Sequence, residues 1–237
     1  MPGGNLEVED LVAGYGATRV LEGVSIRVAA GERLAILGRN GVGKTTLLAS
    51  IMGLTQRHGG TVRIDGHDVS RSRTSERAWK GLGYVPQTRD VFRSLNVEEN
   101  LVAGLKGKPR ELTTVAYEMF PRLAERRWNL AGQLSGGEQQ MLSIARAILG
   151  EPTVLLLDEP LEGLAPVICD SLMVALTDLC AQRAVTVILV EQQIQRALDF
   201  AENAVVLDRG RVVWQGKSAD LAASPELVER YLGAASV

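Results

Sequence analysis

The sequence predicts an α/β domain with a mainly parallel central sheet, and three observations carry that prediction. A chain of 237 residues with 46% hydrophobic and 23% charged side chains can bury a sizeable core, and its composition is not that of a disordered, collagenous or disulfide-framework protein. Short, wholly apolar runs such as Val154–Leu157 recur, as strands covered on both faces require. These runs alternate with stretches of helical period, which implies right-handed crossovers between parallel neighbours.

The early pattern is β-rich. Leu6–Val12 and Leu21–Val28 alternate or cluster β-branched residues, and Glu32–Leu37 is an apolar run ending at Gly38. A glycine loop leads into a helix over Thr45–Met52. Thr61–Ile64 and Gly83–Val85 read as short strands, and the polar stretch Arg71–Arg77 between them as a solvated face rather than a binding patch. From about Thr88 the character changes to a helical insert. Leu112, Val115, Ala116, Met119 and Phe120 lie on one stripe, stopped by Pro121, whose role is packing. A helix over Glu138–Leu149 precedes the strand Val154–Leu157, and the periods then predict helix Val167–Leu179, strand Val185–Val190 and helix Ile194–Ala201. A hairpin of Ala204–Leu207 and Arg211–Trp214 follows, with a last helix near Pro225–Leu232.

Composition also excludes functions. With 26 basic and 28 acidic side chains the formal charge is -2, so no global field draws the chain to nucleic acid or anionic lipid. The opening Met1–Asp10 has neither a basic nor an apolar leader segment, and no apolar run approaches a spanning helix, so a cytosolic, non-spanning chain is expected. Cys169 and Cys180 read as inert thiols rather than a redox pair, and His58 and His67 offer no convincing metal cluster.

The chemistry is concentrated in two motifs. Gly38-Arg39-Asn40-Gly41-Val42-Gly43-Lys44-Thr45 matches G-x-x-x-x-G-K-[ST] between an expected strand and an expected helix. Glycines admit positive φ and carry no Cβ, so consecutive N–H groups converge on phosphate oxygens at the positive end of the helix dipole. Lys44 adds a mobile charge for the β- and γ-phosphates, and the Thr45 hydroxyl is placed to ligate Mg²⁺. Asp158, at the carboxyl end of its strand, is placed to hold Mg²⁺ through water, and the adjacent Glu159 to orient and deprotonate an attacking water. The two motifs together make a nucleoside triphosphatase.

Between them lies Leu134-Ser135-Gly136-Gly137-Glu138-Gln139, which resembles the signature motif of ATP-binding cassette ATPases. The resemblance covers the whole chain. It implies a P-loop core with an antiparallel N-terminal β subdomain, formed by residues 1–87 and 151–237, and an inserted helical subdomain at about 88–150, all within one 1–237 domain. Ser135, Gly136 and Gly137 offer N–H groups at the start of a helix that begins with Glu138, a second phosphate-binding terminus. The resemblance implies that this terminus serves ATP bound to a neighbouring cassette in a head-to-tail dimer. It also implies that Tyr15 stacks on adenine, that Thr46 belongs to the nucleotide loop, and that Gln87 contacts Mg²⁺ and senses the γ-phosphate.

Two positions depart from the family pattern. Gln192 in Val190-Glu191-Gln192-Gln193 replaces the switch histidine, and Ala165 replaces the aspartate common in the D-loop. A glutamine amide donates a hydrogen bond to phosphate but carries no charge near neutral pH. The Val-Glu-Gln and Glu-Gly-Leu-Ala-Pro segments, with Val97-Glu98-Glu99-Asn100-Leu101, resemble importer ATPases for branched-chain amino acids, and importers of urea and short amides look alike here. That implies an ATPase using ATP and Mg²⁺, dimeric with a copy or a paralogue, bound through two integral-membrane permeases at the inner face of the membrane and served by a solute-binding protein, with no nucleic acid. Thr88–Leu95 is the expected permease contact, with Phe92 either an anchor or internal packing. The rival readings are a non-transport cassette ATPase and a regulatory module that binds ATP without turnover.

Overall fold

The computed structural model describes residues 3–233. Met1, Pro2 and residues 234–237 lie outside the described residues, and with them both ends of the expected 1–237 domain and the start of the leader-free segment.

Strands β1 (Leu6–Tyr15) and β2 (Thr18–Val28) form a hairpin, and β3 (Arg33–Leu37) runs into the glycine loop and helix α1 (Lys44–Met52). Then come β4 (Gln56–Ile64), β5 (His67–Asp68), α2 (Thr74–Trp79) and β6 (Leu82–Val85). The helices α3 (Val97–Gly104), α4 (Thr113–Met119), α5 (Pro121–Glu125) and α6 (Gly136–Leu149) are inserted between β6 and β7 (Val154–Asp158). The chain continues through α7 (Pro166–Arg183), β8 (Thr186–Val190), α8 (Ile194–Phe200), the hairpin β9 (Asn203–Asp208) and β10 (Arg211–Lys217), α9 (Ser218–Ala222) and α10 (Pro225–Leu232).

Two sheets result. An antiparallel sheet has the order β2-β1-β4-β5, and the central sheet has the order β10-β9-β3-β8-β7-β6. In the central sheet β9, β3, β8, β7 and β6 are parallel, and only β10 is antiparallel to its neighbour. Alternation along each strand sorts the side chains into two cores. Ala35, Leu37, Leu155, Leu157, Val187 and Leu189 face the inserted helices and α7. Leu34, Ile36, Val154, Leu156, Ile188 and Val190 face α1 and the antiparallel sheet. With both faces covered, these strands have no solvent-facing residue, so the sequence shows continuous apolar runs in place of polar alternation.

Several boundaries moved. The first strand extends to Tyr15 and the fourth begins at Gln56, because register shifts and a left-handed Asp10 (φ 46°) break the alternation that marks a strand. The Leu112–Phe120 stripe is a 3₁₀ turn over Arg110–Leu112 followed by α4, and Pro121 opens α5 at its first position besides closing what precedes it. The signature helix starts at Gly136, with Ser135 as its N-cap.

The larger correction concerns the polar stretch Arg71–Arg77. Its last residues form α2, and Arg77 is 4% exposed. The guanidinium donates to the carbonyls of Ser50 (2.9 Å) and Ile51 (2.6 Å) in the last turn of α1, and to those of Ser70 and Ser72. A planar fork of five donors can satisfy the orphan carbonyls of a helix end from below, where charge and dipole agree. A stretch of charged residues cannot announce which of them is turned inward. Removing this side chain leaves buried carbonyls unpaired, so Arg77→Ala is expected to lower the unfolding free energy by about 3 kcal/mol, read as a lower urea midpoint with an unchanged slope. A midpoint equal to that of the parent protein contradicts this account of the α1 terminus.

Candidate functional site

The carboxyl ends of β3, β7 and β8 are neighbours in the central sheet, and the residues that follow each strand meet in one cleft of about 350 Å³. It is lined by Val20, Asn40, Gly41, Gly43, Lys44, Thr45, Thr46, Gln87, Glu159, Glu162 and Gln192. The loop after β3 needs its glycines for specific reasons. At Gly38 (φ 148°) a Cβ would stand 2.4 Å from the Leu207 carbonyl oxygen, and Gly43 enters α1 at φ 112°, which side chains avoid.

Helix α1 has no side-chain cap and no acid in its first turn. Its leading N–H groups therefore have no partner from the helix and point out at the cleft. Helices α3 and α6, by contrast, are closed by capping boxes. Lys44 is 4% exposed; its Nζ donates to the carbonyls of Gly38 (2.9 Å) and Arg39 (3.2 Å) and stands 3.8 Å from Glu159 Oε1. Burial lowers the Lys44 pKa, while Glu159, Asp158 and Glu191 oppose that shift. Of the remaining loop residues, Arg39 is exposed, and Val42 is buried with its carbonyl accepting from the Gly210 N–H (2.9 Å).

Asp158 is fully buried and accepts from the Thr45 hydroxyl (3.1 Å) and the Tyr84 hydroxyl (3.4 Å). Glu159 follows at φ 48°, a strained conformation for a residue with a side chain, and its N–H is fixed to the Val190 carbonyl (2.9 Å). The turn aims its carboxylate at the loop. There Oε2 accepts from Gln192 Nε2 at 2.6 Å and from Gln87 Nε2 at 3.2 Å.

The other expected positions lie elsewhere. Tyr15 ends β1, half exposed and outside the residues that line the cleft. Ser135, Gly136, Gly137 and Glu138 sit at the start of α6, also outside it. The expectation that Ser135 and both glycines present free N–H groups needs correction. The Ser135 N–H is taken by Glu138 Oε2 (2.8 Å) and the Glu138 N–H by Ser135 Oγ (3.3 Å), so within Ser135–Glu138 the open donors are those of the two glycines. Phe92 is 50% exposed, stacked on the Arg146 guanidinium at 4.7 Å, so its ring lies at the surface and is not internal packing. Burial raises the Cys180 thiol to about 11, in keeping with an inert role.

Three acidic or hydroxyl contacts went unread in the sequence. Glu191, 2% exposed, accepts from the Leu161 N–H (2.8 Å) and the Gln192 N–H (3.0 Å), tying the β7 and β8 turns together. Glu162 accepts from Gln87 Nε2 at 2.6 Å, and Tyr84 reaches Asp158 from the next strand. An acid directly after a β-branched run marked Glu191; Glu162 stood out only as the acid of the Glu-Gly-Leu-Ala-Pro segment, and nothing local marked its contact or that of Tyr84, whose partners are over 70 residues distant.

The ABC transporter family model matches residues 21–162. The high-affinity branched-chain amino acid transport ATP-binding protein BraG of Pseudomonas aeruginosa is 41% identical over 92% of this chain and 95% of its own length. The probable branched-chain amino acid transport ATP-binding protein LivF of Archaeoglobus fulgidus is 37% identical over 91% and 93%. A nucleotide-free ATP-binding cassette from an ABC transporter superposes with a TM-score of 0.83 at 25% identity, covering 97% of this chain and 98% of that one. The chain belongs to the ABC transporter family.

Proposed function

We propose that this cassette binds and hydrolyses ATP in the cleft and so drives the import of branched-chain amino acids through membrane permeases. One observation carries the catalytic part: a strained Glu159 is aimed at Lys44 and at the uncapped end of α1, and two amides hold it there. The likeness to BraG and LivF supports the cargo.

In this reading the open N–H groups of the loop and of the first turn of α1 take the β- and γ-phosphate oxygens. Lys44 Nζ exchanges its two carbonyl partners for phosphate. Glu159 accepts a proton from the water that attacks the γ-phosphorus, giving ADP and phosphate. Gln192 donates to Glu159 and orients it; its amide neither charges nor relays a proton, so hydrolysis proceeds without the histidine. Tyr15 supplies a face for adenine stacking. The glycines of the Ser135–Glu138 segment serve ATP on a partner cassette, a second copy or a paralogue.

The donor set also fits Mg²⁺. The Thr45 hydroxyl, the Asp158 carboxylate and the Gln87 amide oxygen are the hard oxygen ligands it prefers, and Asp158, Glu159 and Glu191 are three buried carboxylates against one buried ammonium. When bound, the ion neutralises charge on the terminal phosphates.

One permease would dock on the Thr88–Leu95 segment of each cassette, where Leu54, Ala78, Pro86, Phe92 and Lys106 border a cavity of about 410 Å³. Asn100 accepts from the Phe92 N–H (2.9 Å), and Arg146 Nη2 donates to the Asp90 carbonyl (2.6 Å), so motion of this segment is tied to α3 and α6. No helix among the described residues is long and apolar enough to cross a membrane. Attachment at its inner face therefore falls to the permeases, and choice of solute to them and to a binding protein.

Burial pushes the Asp158 carboxyl from 3.8 up to about 6, with Glu159 adding to the shift and Thr45 and Tyr84 opposing it. A raised folded pKa means that stability is full below the unfolded value and is lost as the pH rises through the folded one. In protein free of nucleotide and divalent ions, Asp158→Asn is expected to stabilise by about 3 kcal/mol at about pH 7.5 but only about 1 kcal/mol at about pH 4.5. Equal effects at the two pH values contradict the assigned burial cost.

Activity variants test the catalytic reading. Glu159→Gln is expected to lower kcat on the order of 100-fold or more with ATP binding retained, and Lys44→Ala to weaken ATP binding by about tenfold or more. Gln192→His is expected to stay within about threefold of the parent rate. A purified dimer that binds ATP but turns over only after Gln192→His refutes the role given to Gln192, and an unimpaired Glu159→Gln refutes the site.

A further inference from the structure

A carboxylate in a cleft that receives phosphates is electrostatically adverse unless it does something else. Glu162 is such a group. It is exposed, lines the cleft, and has no salt bridge within 4 Å among the described residues, yet its Oε2 takes the short hydrogen bond from Gln87 Nε2 at 2.6 Å. The same nitrogen lies 3.2 Å from Glu159 Oε2. An amide nitrogen has two hydrogens, and an amide oxygen in that place would face two carboxylates, so the pair of acids fixes which end of the Gln87 amide points at them. Both hydrogens are then committed, and Oε1 is left free of hydrogen bonds among the described residues.

A second tie joins the same two segments. Arg89 Nη2 donates to the Glu162 backbone carbonyl at 3.3 Å. The loop that carries Gln87 is itself strained: Arg89 and Asp90 are consecutive non-glycine residues at φ 65° and 46°. Such a loop relaxes unless external contacts hold it. Glu162 is suited to hold it, because its own backbone is braced: its N–H bonds the Glu159 carbonyl (3.2 Å), and the neighbouring Leu161 N–H bonds buried Glu191 (2.8 Å).

We infer that Glu162 is a positioning residue that clasps Gln87, setting the orientation of its amide and keeping it at the longer distance from Glu159. The inference rests on the reading of Glu159 as the hydrolytic acid. Gln87 then shares Glu159 Oε2 as the longer of two partners, at 3.2 Å against 2.6 Å for Gln192, and its oxygen is left without a protein donor among the described residues.

Steady-state ATPase assays on Glu162→Ala, Glu162→Gln, Gln87→Ala and the double variant Gln87→Ala/Glu162→Ala test this, beside the parent protein and Glu159→Gln. Expected for Glu162→Ala is a fall in kcat on the order of tenfold with KM for ATP, and affinity for a fluorescent ATP analogue without divalent ions, within about twofold. Glu162→Gln, which keeps an acceptor oxygen for Gln87, recovers most of the loss. The double variant is expected within about twofold of Gln87→Ala alone, because Glu162 acts only through that side chain. Parent-like kcat in Glu162→Ala overturns the inference, as does a double variant whose loss is the product of the two single losses. Loss of turnover in Glu159→Gln but not in Glu162→Ala sinks the clasp alone; full turnover in Glu159→Gln sinks the catalytic reading as well.

Discussion

One buried ammonium, Lys44, faces three buried carboxylates, Asp158, Glu159 and Glu191, at the carboxyl ends of adjacent parallel strands. That imbalance organises the molecule. Charges out of water require either a partner or hydrogen bonds, and each acid here has a different answer. Asp158 is held by the Thr45 and Tyr84 hydroxyls and shifted toward its neutral form. Glu191 is spent on the backbone of the turns after β7 and β8. Glu159 is left facing the ammonium with two amides on one oxygen. Three acids of similar intrinsic strength thus come to fill three roles through their surroundings.

The fold brings them together. After their first residue, β3, β7 and β8 carry only apolar side chains until the sheet ends, so the first polar residue after each run emerges at the same edge. Side-chain alternation between two cores fixes the register, and a one-residue slip would move Asp158 off the Thr45 side of the sheet. Arg77 secures the far end of α1 by taking its last carbonyls, leaving the near end uncapped and open to anions. Strain appears where chemistry is expected: Glu159 on one side of the cleft, Arg89 and Asp90 on the other.

Much of this was legible in the sequence where the information is contiguous. The glycine loop, the Asp158–Glu159 pair and the apolar runs are local patterns, and the structure brings residues of the loop and Glu159 to one cleft, with Asp158 buried behind Thr45. Long-range facts were not legible. That Arg77 turns inward depends on where α1 ends, and that Glu162 meets Gln87 depends on the β6 and β7 turns lying side by side. The signature segment was read as three free N–H donors, but Glu138 stands three residues after Ser135 and closes a capping box, a spacing the sequence did contain. Tyr15 and the signature glycines lie outside the residues that line the cleft of their own chain.

The central claim is that the loop of residues 38–45 grips the terminal phosphates of a nucleotide while Glu159 stands beside them. A crystal structure of the Glu159→Gln protein with ATP and Mg²⁺ tests it most directly. The account predicts β- and γ-phosphate oxygens within hydrogen-bond reach of the N–H groups of Gly41–Thr45, with Lys44 Nζ moved from the Gly38 and Arg39 carbonyls onto phosphate. Nucleotide bound elsewhere, with Lys44 still on those carbonyls, would contradict it.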